Sequence, residues 1–271
     1  MQRLFMTEHG DPVSAVTGAE ARQILTRLGR NGTPGTAEMV ESAARSVLPV
    51  TQQICGTLSR DCRIGIVSGA GHTGAIGFAL GRHLANFGVP VTVYAVSAGR
   101  SPEWERQLNA YRASSGVFGG GPDAFAADIA GETDDPAQRE EFEILVDALL
   151  GGYVYGPPDS EVASFLNTLH LVTSQTPVPP DPIAVETSYR VLSLEIPSGV
   201  DPTTGVTGDA YVTADMTICF GFPRTGMSAG QCGSIAVADV GIPPEVFRRE
   251  AVITYPCRFH GEGVIRLRNF G

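Results

Sequence analysis

Four glycine-marked loops, each following a short apolar run, constrain the fold of this chain more than any other feature. The segments are VSGAGHTGAIG at 67–77, VDALLGGYVYG at 146–156, LEIPSGVD at 194–201 and ICFGFPRTGM at 218–227. Each pattern predicts a buried strand that ends in a tight turn. In an open α/β sheet the carboxyl ends of the strands share one edge, where ligands bind. The four loops are therefore predicted to build one site.

Short β-branched runs alternate with amphipathic helical stretches along the chain. Helices are predicted at 18–30, 36–56, 73–87, 102–113 and 159–172. Strands are predicted at 63–69, 90–96, 143–150, 190–196, 216–222 and 234–242, with the last of these as the final strand. This alternation predicts an α/β fold, a three-layer α/β/α Rossmann-like sandwich with a mostly parallel sheet.

The chain is predicted to be one domain over residues 1–271, because no shift in composition marks a boundary. Its first two helices form an N-terminal helical layer at 15–58, in which Thr36 is the expected N-cap of the second helix. Residues 116–140 are expected to mix loop and helix. The proline-rich segment 173–182 is expected to be an irregular inserted loop.

Composition excludes several classes of function. The formal charge of −10 argues against a nucleic-acid partner, because phosphate binding needs clustered Lys and Arg. No apolar run approaches the roughly 18 residues of a membrane span, and the N-terminus lacks a signal-peptide pattern, so a cytoplasmic protein without a membrane partner is expected. The five cysteines contain no C-x-x-C pair, which indicates neither a zinc site nor a disulfide framework. Cys55 and Cys219 are interpreted as buried small hydrophobes.

Three loop features have both a chemical and a structural interpretation. The segment 69–77 joins a strand to a helix, so its amides favour a phosphate group, although glycines also serve tight turns without any ligand. A lone histidine in such a loop serves more often as a hydrogen-bonding residue than as a catalytic base, and His72 is interpreted in this way. Asp147 ends an apolar strand, where a carboxylate either accepts hydrogen bonds from loop amides or binds a cation or a substrate hydroxyl.

Glu195 is the strongest candidate for proton transfer. It lies between Leu194 and Ile196 near a strand end, so the side chain is expected to be at least partly buried. A buried carboxylate needs a partner or a changed proton affinity, and either condition suits an acid/base group. A structural ion pair, for instance with Arg224, is the alternative. Ser198 follows in the turn, where its hydroxyl is available as an oxygen ligand.

Taken together, the ordered segments resemble the YjeF N-terminal domain family of NAD(P)H-hydrate epimerases. The resemblance runs from about residue 15 and includes TAEMVESAARSV, the glycine loop, VDALLG, IPSG, FGFPRTG and GSIAVADVGIP. It implies a Rossmann-like fold, a homodimer, and interconversion of the R and S epimers of hydrated NADH and NADPH. It also implies a separate NAD(P)H-hydrate dehydratase in the pathway, and no redox cofactor is consumed.

The resemblance also implies roles for individual residues. Glu195, at the position of the family's aspartate before IPSG, is the implied acid/base, and Arg224 replaces the family's lysine after FG-x-P as a second catalytic residue. The implied ligands of a potassium ion are Thr73, Asp147 and Ser198. The implied substrate-binding residues are Gly71, His72, Thr73, Gly74, Ala75, Gly151, Gly152, Tyr153, Val154, Tyr155, Gly156 and Pro157.

The glycine loop diverges from the family's Gly-Pro-Gly-Asn-Asn-Gly-Gly-Asp-Gly. His72 and Thr73 stand at its two Asn positions, Ile76 stands at its Asp, and Glu195 is one methylene longer than the family's aspartate. A proton donor displaced by about 1 Å can cost roughly 100-fold in rate. A non-catalytic YjeF N-terminal domain, acting as a ligand sensor or a protein-interaction scaffold, is therefore the alternative to an enzyme.

Overall fold

The computed structural model describes residues 3–31, 34–56, 58, 60–97, 99–131, 142–153, 158–174, 190–243, 245–246 and 253–268. The strands in this part of the chain are β1 (Leu4–Thr7), β2 (Pro12–Ser14), β3 (Ile64–Ser68), β4 (Val91–Ala95), β5 (Val117–Gly120), β6 (Ile144–Ala148), β7 (Arg190–Leu194), β8 (Met216–Phe220), β9 (Ser234–Ala238) and β10 (Val264–Arg268). The helices are α1 (Gly18–Asn31), α2 (Thr36–Cys55), α3 (His72–Asn86), α4 (Pro102–Arg112), α5 (Pro122–Ala130), α6 (Ser160–Thr173) and α7 (Ala229–Cys232), and one 3₁₀ turn spans Gly151–Tyr153.

All the strands of the described chain belong to one sheet, in the order β2-β1-β10-β9-β8-β7-β6-β3-β4-β5. The pairings from β9 to β5 are parallel, and β10, β1 and β2 extend the sheet in antiparallel fashion. Every residue of β3, β4, β6 and β8 is buried, as expected for parallel strands covered on both faces. The predicted α/β fold with a mostly parallel sheet is confirmed.

Alternate residues of the central strands face two different helical layers. Ile66 of β3 belongs to a core shared with α1, α2, α3 and α4, whereas its neighbour Val67 packs in a second core with Phe125 of α5 and Phe165 of α6. This alternation follows from the two-residue period of a strand. The carboxyl ends of the parallel strands lie between the two layers and position the site described below.

The two helices of the N-terminal layer, α1 and α2, form as predicted, but the N-cap of α2 is a different residue from the one expected. Thr17 and Glu20 form a capping box at α1, in which the Glu20 N–H donates to the Thr17 hydroxyl at 3.2 Å and the Thr17 N–H donates to the Glu20 carboxylate at 2.8 Å. The prediction of Thr36 as the N-cap of α2 is wrong by one residue. Gly35 is the cap, without a side-chain hydrogen bond, and Thr36 begins the helix.

Four strands at the margins of the sheet were not predicted. β5 and α5 lie in the segment expected to mix loop and helix, and β10 follows β9, which is therefore not the final strand. β1 and β2 form a hairpin beside β10. The reason is that edge strands depend on pairing: Val117 of β5 is 57% exposed, so the strand carries little of the apolar pattern that marks a buried one. Residues 175–182 of the predicted proline-rich loop lie outside the described residues.

The interpretation of Cys55 as a buried unpaired residue is wrong. Cys55 at the end of α2 forms a disulfide with Cys62, which precedes β3, and their Cα atoms are 6.1 Å apart. Cys219 is a buried free cysteine, as expected. In the part of the chain that the structure describes, no helix has both the length and the apolar character needed to cross a membrane.

Candidate active site

Glu195 follows β7 in a left-handed backbone conformation, with φ of 72°. A positive φ is uncommon for a residue with a side chain and costs of order 1–3 kcal/mol. Two backbone hydrogen bonds hold it: the Glu195 N–H donates to the carbonyl of Ile218 at 2.8 Å, and the Ile196 N–H donates to that of Leu194 at 3.0 Å. The residue is only 5% exposed. Its strained backbone therefore marks the position as a candidate functional site.

Arg224 is fully buried and forms an ion pair with Glu195. Its guanidinium also donates to the carbonyl of Phe222 at 2.8 Å and lies 4.9 Å from the centroid of the Phe222 ring. Val16, just before α1, forms backbone hydrogen bonds with both chain neighbours of Arg224, at 3.0 and 2.9 Å. The ion pair considered from sequence is present, and the N-terminal segment fixes the loop that carries its cation.

Asp147 connects the loops after β6 and β7. Its carboxylate accepts hydrogen bonds from the Ser198 hydroxyl at 2.6 Å, the Ser198 N–H at 2.8 Å, the Ser193 hydroxyl at 2.9 Å and the Leu149 N–H at 3.2 Å. Burial raises the pKa of Asp147, and these hydrogen bonds oppose the rise. Asp147 was interpreted either as an acceptor for loop amides or as a ligand for a cation or a substrate hydroxyl. Its contacts are those of the acceptor.

Glycines allow the site loops to touch one another directly. A methyl group at Gly69 would lie 1.6 Å from the carbonyl oxygen of Leu149, so the first two loops are in backbone contact. A methyl group at Gly151, where φ is 67°, would lie 2.0 Å from the Thr73 hydroxyl oxygen, and one at Gly152 would lie 2.8 Å from Nε of Arg224. The loops after β3, β6 and β8 therefore form one continuous packing unit.

Gly74→Ala and Gly71→Ala form a matched pair that tests this packing. A methyl at Gly74 would lie 1.8 Å from the carbonyl oxygen of Gly69, whereas one at Gly71 would meet no atom within 4 Å, and Gly71 has a φ of −90°. Alanine gains about 1 kcal/mol of helix propensity over glycine, but overpacking against backbone outweighs that gain. We expect Gly74→Ala to lower the free energy of unfolding by about 3 kcal/mol and Gly71→Ala to change it by less than about 0.5 kcal/mol. Urea denaturation measures both, and equal midpoints would contradict the packing argument.

The larger cavity at this sheet edge has a volume of about 740 Å³, which lies in the range of small-molecule sites. Its lining comes from α1, from the loops after β3 and β6, and from the starts of helices. The lining residues are Arg22, Leu25, Thr26, Thr36, Ala70, Gly71, His72, Thr73, Ser101, Leu149, Leu150, Pro158, Asp159 and Val162. Gly71, Ser101 and Asp159 are the N-caps of α3, α4 and α6. Helix N-termini carry partial positive charge and favour phosphate, so this cavity suits a phosphorylated ligand.

Glu195 lines a second, much smaller cavity of about 40 Å³ against α2. The two cavities adjoin, because Leu25, Thr36 and His72 line both. Sequence reasoning predicted one pocket for the glycine loops and Glu195, and the structure corrects this to two neighbouring cavities. The physical reason is that Leu25, Thr36 and His72, from α1, α2 and α3, form the boundary between them.

The other predicted substrate-binding residues take three kinds of position. Gly71, His72 and Thr73 line the larger cavity, whereas Gly74 and Ala75 are buried in the first turn of α3. Gly151 and Gly152 pack against Thr73 and Arg224, and Tyr153 ends the 3₁₀ turn. Val154, Tyr155, Gly156 and Pro157 lie outside the described residues. Desolvation lowers the pKa of His72, and Glu103 partly opposes this, so the environment favours the neutral imidazole.

Sequence reasoning missed five polar residues of the larger cavity, of which Thr36 was predicted only as a helix cap. Arg22 and Thr26 belong to the exposed face of α1, where a polar side chain carries no local sign of a binding role. Ser101 and Asp159 are helix N-caps. The Ser101 hydroxyl accepts a hydrogen bond from the Trp104 N–H at 3.1 Å, and the Asp159 carboxylate accepts one from the Val162 N–H at 2.9 Å. Their capping patterns were the available signal, because helix starts gather at this edge of a parallel sheet.

The model of the family described as "YjeF-related protein N-terminus" matches residues 36–226, which is most of the chain and includes the four glycine-marked loops except Met227 at the end of the last one. The chain belongs to this family. The resemblance inferred from the motifs is thereby confirmed.

Known proteins support the membership at the levels of sequence and fold. An NAD(P)H-hydrate epimerase of Dehalogenimonas lykanthroporepellens is 28% identical over 97% of this YjeF-family chain and 96% of the relative. A bifunctional NAD(P)H-hydrate repair enzyme of Methanothermobacter thermautotrophicus is 29% identical over 77% of the chain, which spans only 37% of that enzyme. A yeast protein of known crystal structure superposes with a TM-score of 0.68, covering 94% of this chain and 99% of its own, at 15% identity. The last comparison supports the fold alone.

Proposed function

We propose that this chain is an NAD(P)H-hydrate epimerase that interconverts the R and S epimers of hydrated NADH and NADPH. The observation that carries the proposal is the Glu195 carboxylate, held by Arg224 beside a cavity suited to phosphate. The epimerase of Dehalogenimonas lykanthroporepellens, which aligns over nearly its whole length, supports the same activity.

Inversion at the hydrated carbon proceeds by loss and return of its hydroxyl, with proton transfer in both steps. That carbon carries a hydroxyl beside the ring nitrogen. Glu195 is ionised in its pair with Arg224, so it first takes up a proton and then donates it to the hydroxyl as the carbon–oxygen bond breaks. Water leaves, and the ring nitrogen stabilises the cation that remains. Water then adds to the opposite face of the ring and loses a proton to solvent, which restores the hydroxyl with inverted configuration. Arg224 retains its proton at any working pH, so its role is to position Glu195 and to supply a fixed positive charge.

The diphosphate group of the substrate is placed in the larger cavity, against the N-terminal amides of α3 and beside Arg22. The reacting ring must then reach Glu195 through the boundary formed by Leu25, Thr36 and His72. A cavity of about 40 Å³ holds little more than a water molecule, so substrate binding widens this boundary.

Purified R-hydrate, incubated with a dehydratase specific for the S epimer, tests the proposal. We expect addition of this protein to accelerate recovery of absorbance at the reduced nicotinamide band, because it supplies the S epimer faster than spontaneous epimerisation does. A heat-inactivated sample is the control. If the folded protein gives no acceleration yet still binds the hydrate, the non-catalytic alternative replaces the enzyme; none of the relatives named above supports that alternative.

Potassium binding at Thr73, Asp147 and Ser198 stays a prediction, and the contacts fit such an ion poorly. A carboxylate offers about four acceptor positions, and Asp147 accepts four protein hydrogen bonds. The Ser198 hydroxyl oxygen also accepts from the Leu150 N–H at 3.0 Å. The mechanism above therefore assigns no step to potassium.

The bifunctional relative combines repair activities in a chain of which this one spans about a third, so a separate dehydratase is proposed to complete the pathway. A homodimer and a cytoplasmic location stay predictions.

A further inference from the structure

Two histidines and three carboxylates lie together at the antiparallel end of the sheet, outside the candidate active site. Glu8, His9 and Asp11 belong to the turn between β1 and β2, and His260 and Glu262 belong to the turn before β10. β1 and β10 pair in antiparallel fashion, so these two turns are adjacent. We propose that this cluster of Glu8, His9, Asp11, His260 and Glu262 is a binding site for Zn²⁺ or a similar divalent transition metal.

Three of the side chains already have their donor atoms close together. One ligand atom from each of Glu8, His9 and Glu262 lies within 4.8 Å of the other two, and Nε2 of His9 is 2.9 Å from Oε1 of Glu262. Zinc binds imidazole nitrogen and carboxylate oxygen at about 2.0–2.2 Å, which places the ligand atoms of one ion about 3–4 Å apart. Because all three residues are exposed, small side-chain rotations bring their donors to these distances.

His260 provides a fourth ligand. Its ring centroid lies 5.2 Å from that of His9, with the two planes at 66°, so the imidazoles approach edge to face. Its Nε2 is 2.6 Å from the Asp11 carboxylate, which leaves Nδ1 for the ion. A carboxylate that holds the second nitrogen of a metal-binding histidine is a common support for metal sites.

The donor set selects the class of metal. Imidazole nitrogen together with carboxylate oxygen suits zinc and its neighbours, whereas Mg²⁺ prefers a shell made of oxygen ligands. The nearby guanidinium of Arg268 donates to the backbone carbonyl of Glu8 at 2.8 Å. The Glu8 carboxylate accepts one hydrogen bond, from the Arg266 N–H at 3.1 Å, which leaves acceptor positions for the ion. An ion here connects residues 253 positions apart in sequence, so it links the N-terminal hairpin to the last strand.

Zinc titration of tag-free protein tests the site by calorimetry and by thermal unfolding. We expect one Zn²⁺ per chain and a rise in melting temperature with zinc concentration, because the site forms only in the folded state. Mg²⁺ should produce neither effect. His9→Gln and His260→Gln should each weaken zinc binding at least about tenfold, whereas Asp123→Asn, at an exposed carboxylate on α5, should leave it unchanged.

Two results would overturn the proposal: no zinc binding by the wild-type protein, or equal affinity in the wild type and His9→Gln. If His9→Gln does not fold, Glu262→Gln replaces it, with the same weakening expected. His72→Gln separates this site from the candidate active site, because loss of zinc binding in that variant alone would place the ion beside α3.

Discussion

Replacing Glu195 with glutamine is expected to lower the epimerisation rate at least about 100-fold, the usual contribution of a general acid or base. Glutamine keeps the size and hydrogen-bonding capacity of the side chain but carries no titrating proton. Binding of the hydrated cofactor should change little, because Glu195 does not line the larger cavity. The coupled dehydratase assay measures the rate, and calorimetry measures the binding.

The matched control for this variant is Glu105→Gln, which neutralises an exposed carboxylate on α4 and should retain full activity. Full activity in Glu195→Gln would assign Glu195 a structural role. Glu195→Asp restores the residue that the family resemblance implies, but here the carboxylate of the longer side chain contacts Arg224. We therefore expect Glu195→Asp to lower activity, and Glu195→Asp combined with Arg224→Lys to recover part of it.

Arg224→Met is expected to lower the free energy of unfolding by about 3–5 kcal/mol, since it leaves the buried Glu195 carboxylate without its cation. The carbonyl of Phe222 also loses its guanidinium donor. Urea denaturation with an unchanged m-value measures the loss. We expect the loss to appear in global unfolding and not only in the loop that carries Arg224. The reason is that Val16, just before α1, is hydrogen-bonded to the residues on both sides of Arg224.

Arg106→Met is the matched control, because the Arg106 side chain is 54% accessible and its partner Glu103 keeps a hydrogen bond from Gln107 at 2.9 Å. Exposed pairs contribute about 0–1 kcal/mol, so this variant should be nearly as stable as the wild type. Combining Glu195→Gln with Arg224→Met should cost less than the sum of the single changes, since no buried charge then remains unpaired. Equal losses in Arg224→Met and Arg106→Met would show that the buried pair contributes no more than an exposed one.

Local patterns sufficed for the central part of the molecule. The buried strands β3, β4, β6 and β8 have continuous apolar sequences, so each can be predicted from its own segment alone. The margins of the sheet could not be found in this way. β1 pairs with β10 across almost the whole length of the sequence, and no local period encodes such a pairing.

The sequence by itself determined the parallel core, the order of the four glycine loops and the burial of Glu195, because these depend on apolar periodicity and on glycine at tight turns. Only the tertiary structure decided which cavity Glu195 lines, since side chains of α1, α2 and α3 enclose that cavity. It also brought Arg22, Ser101 and Asp159 to the larger cavity. Each of these residues has an ordinary helical role in its own segment, and only the packing of separate helices against one sheet edge makes them neighbours.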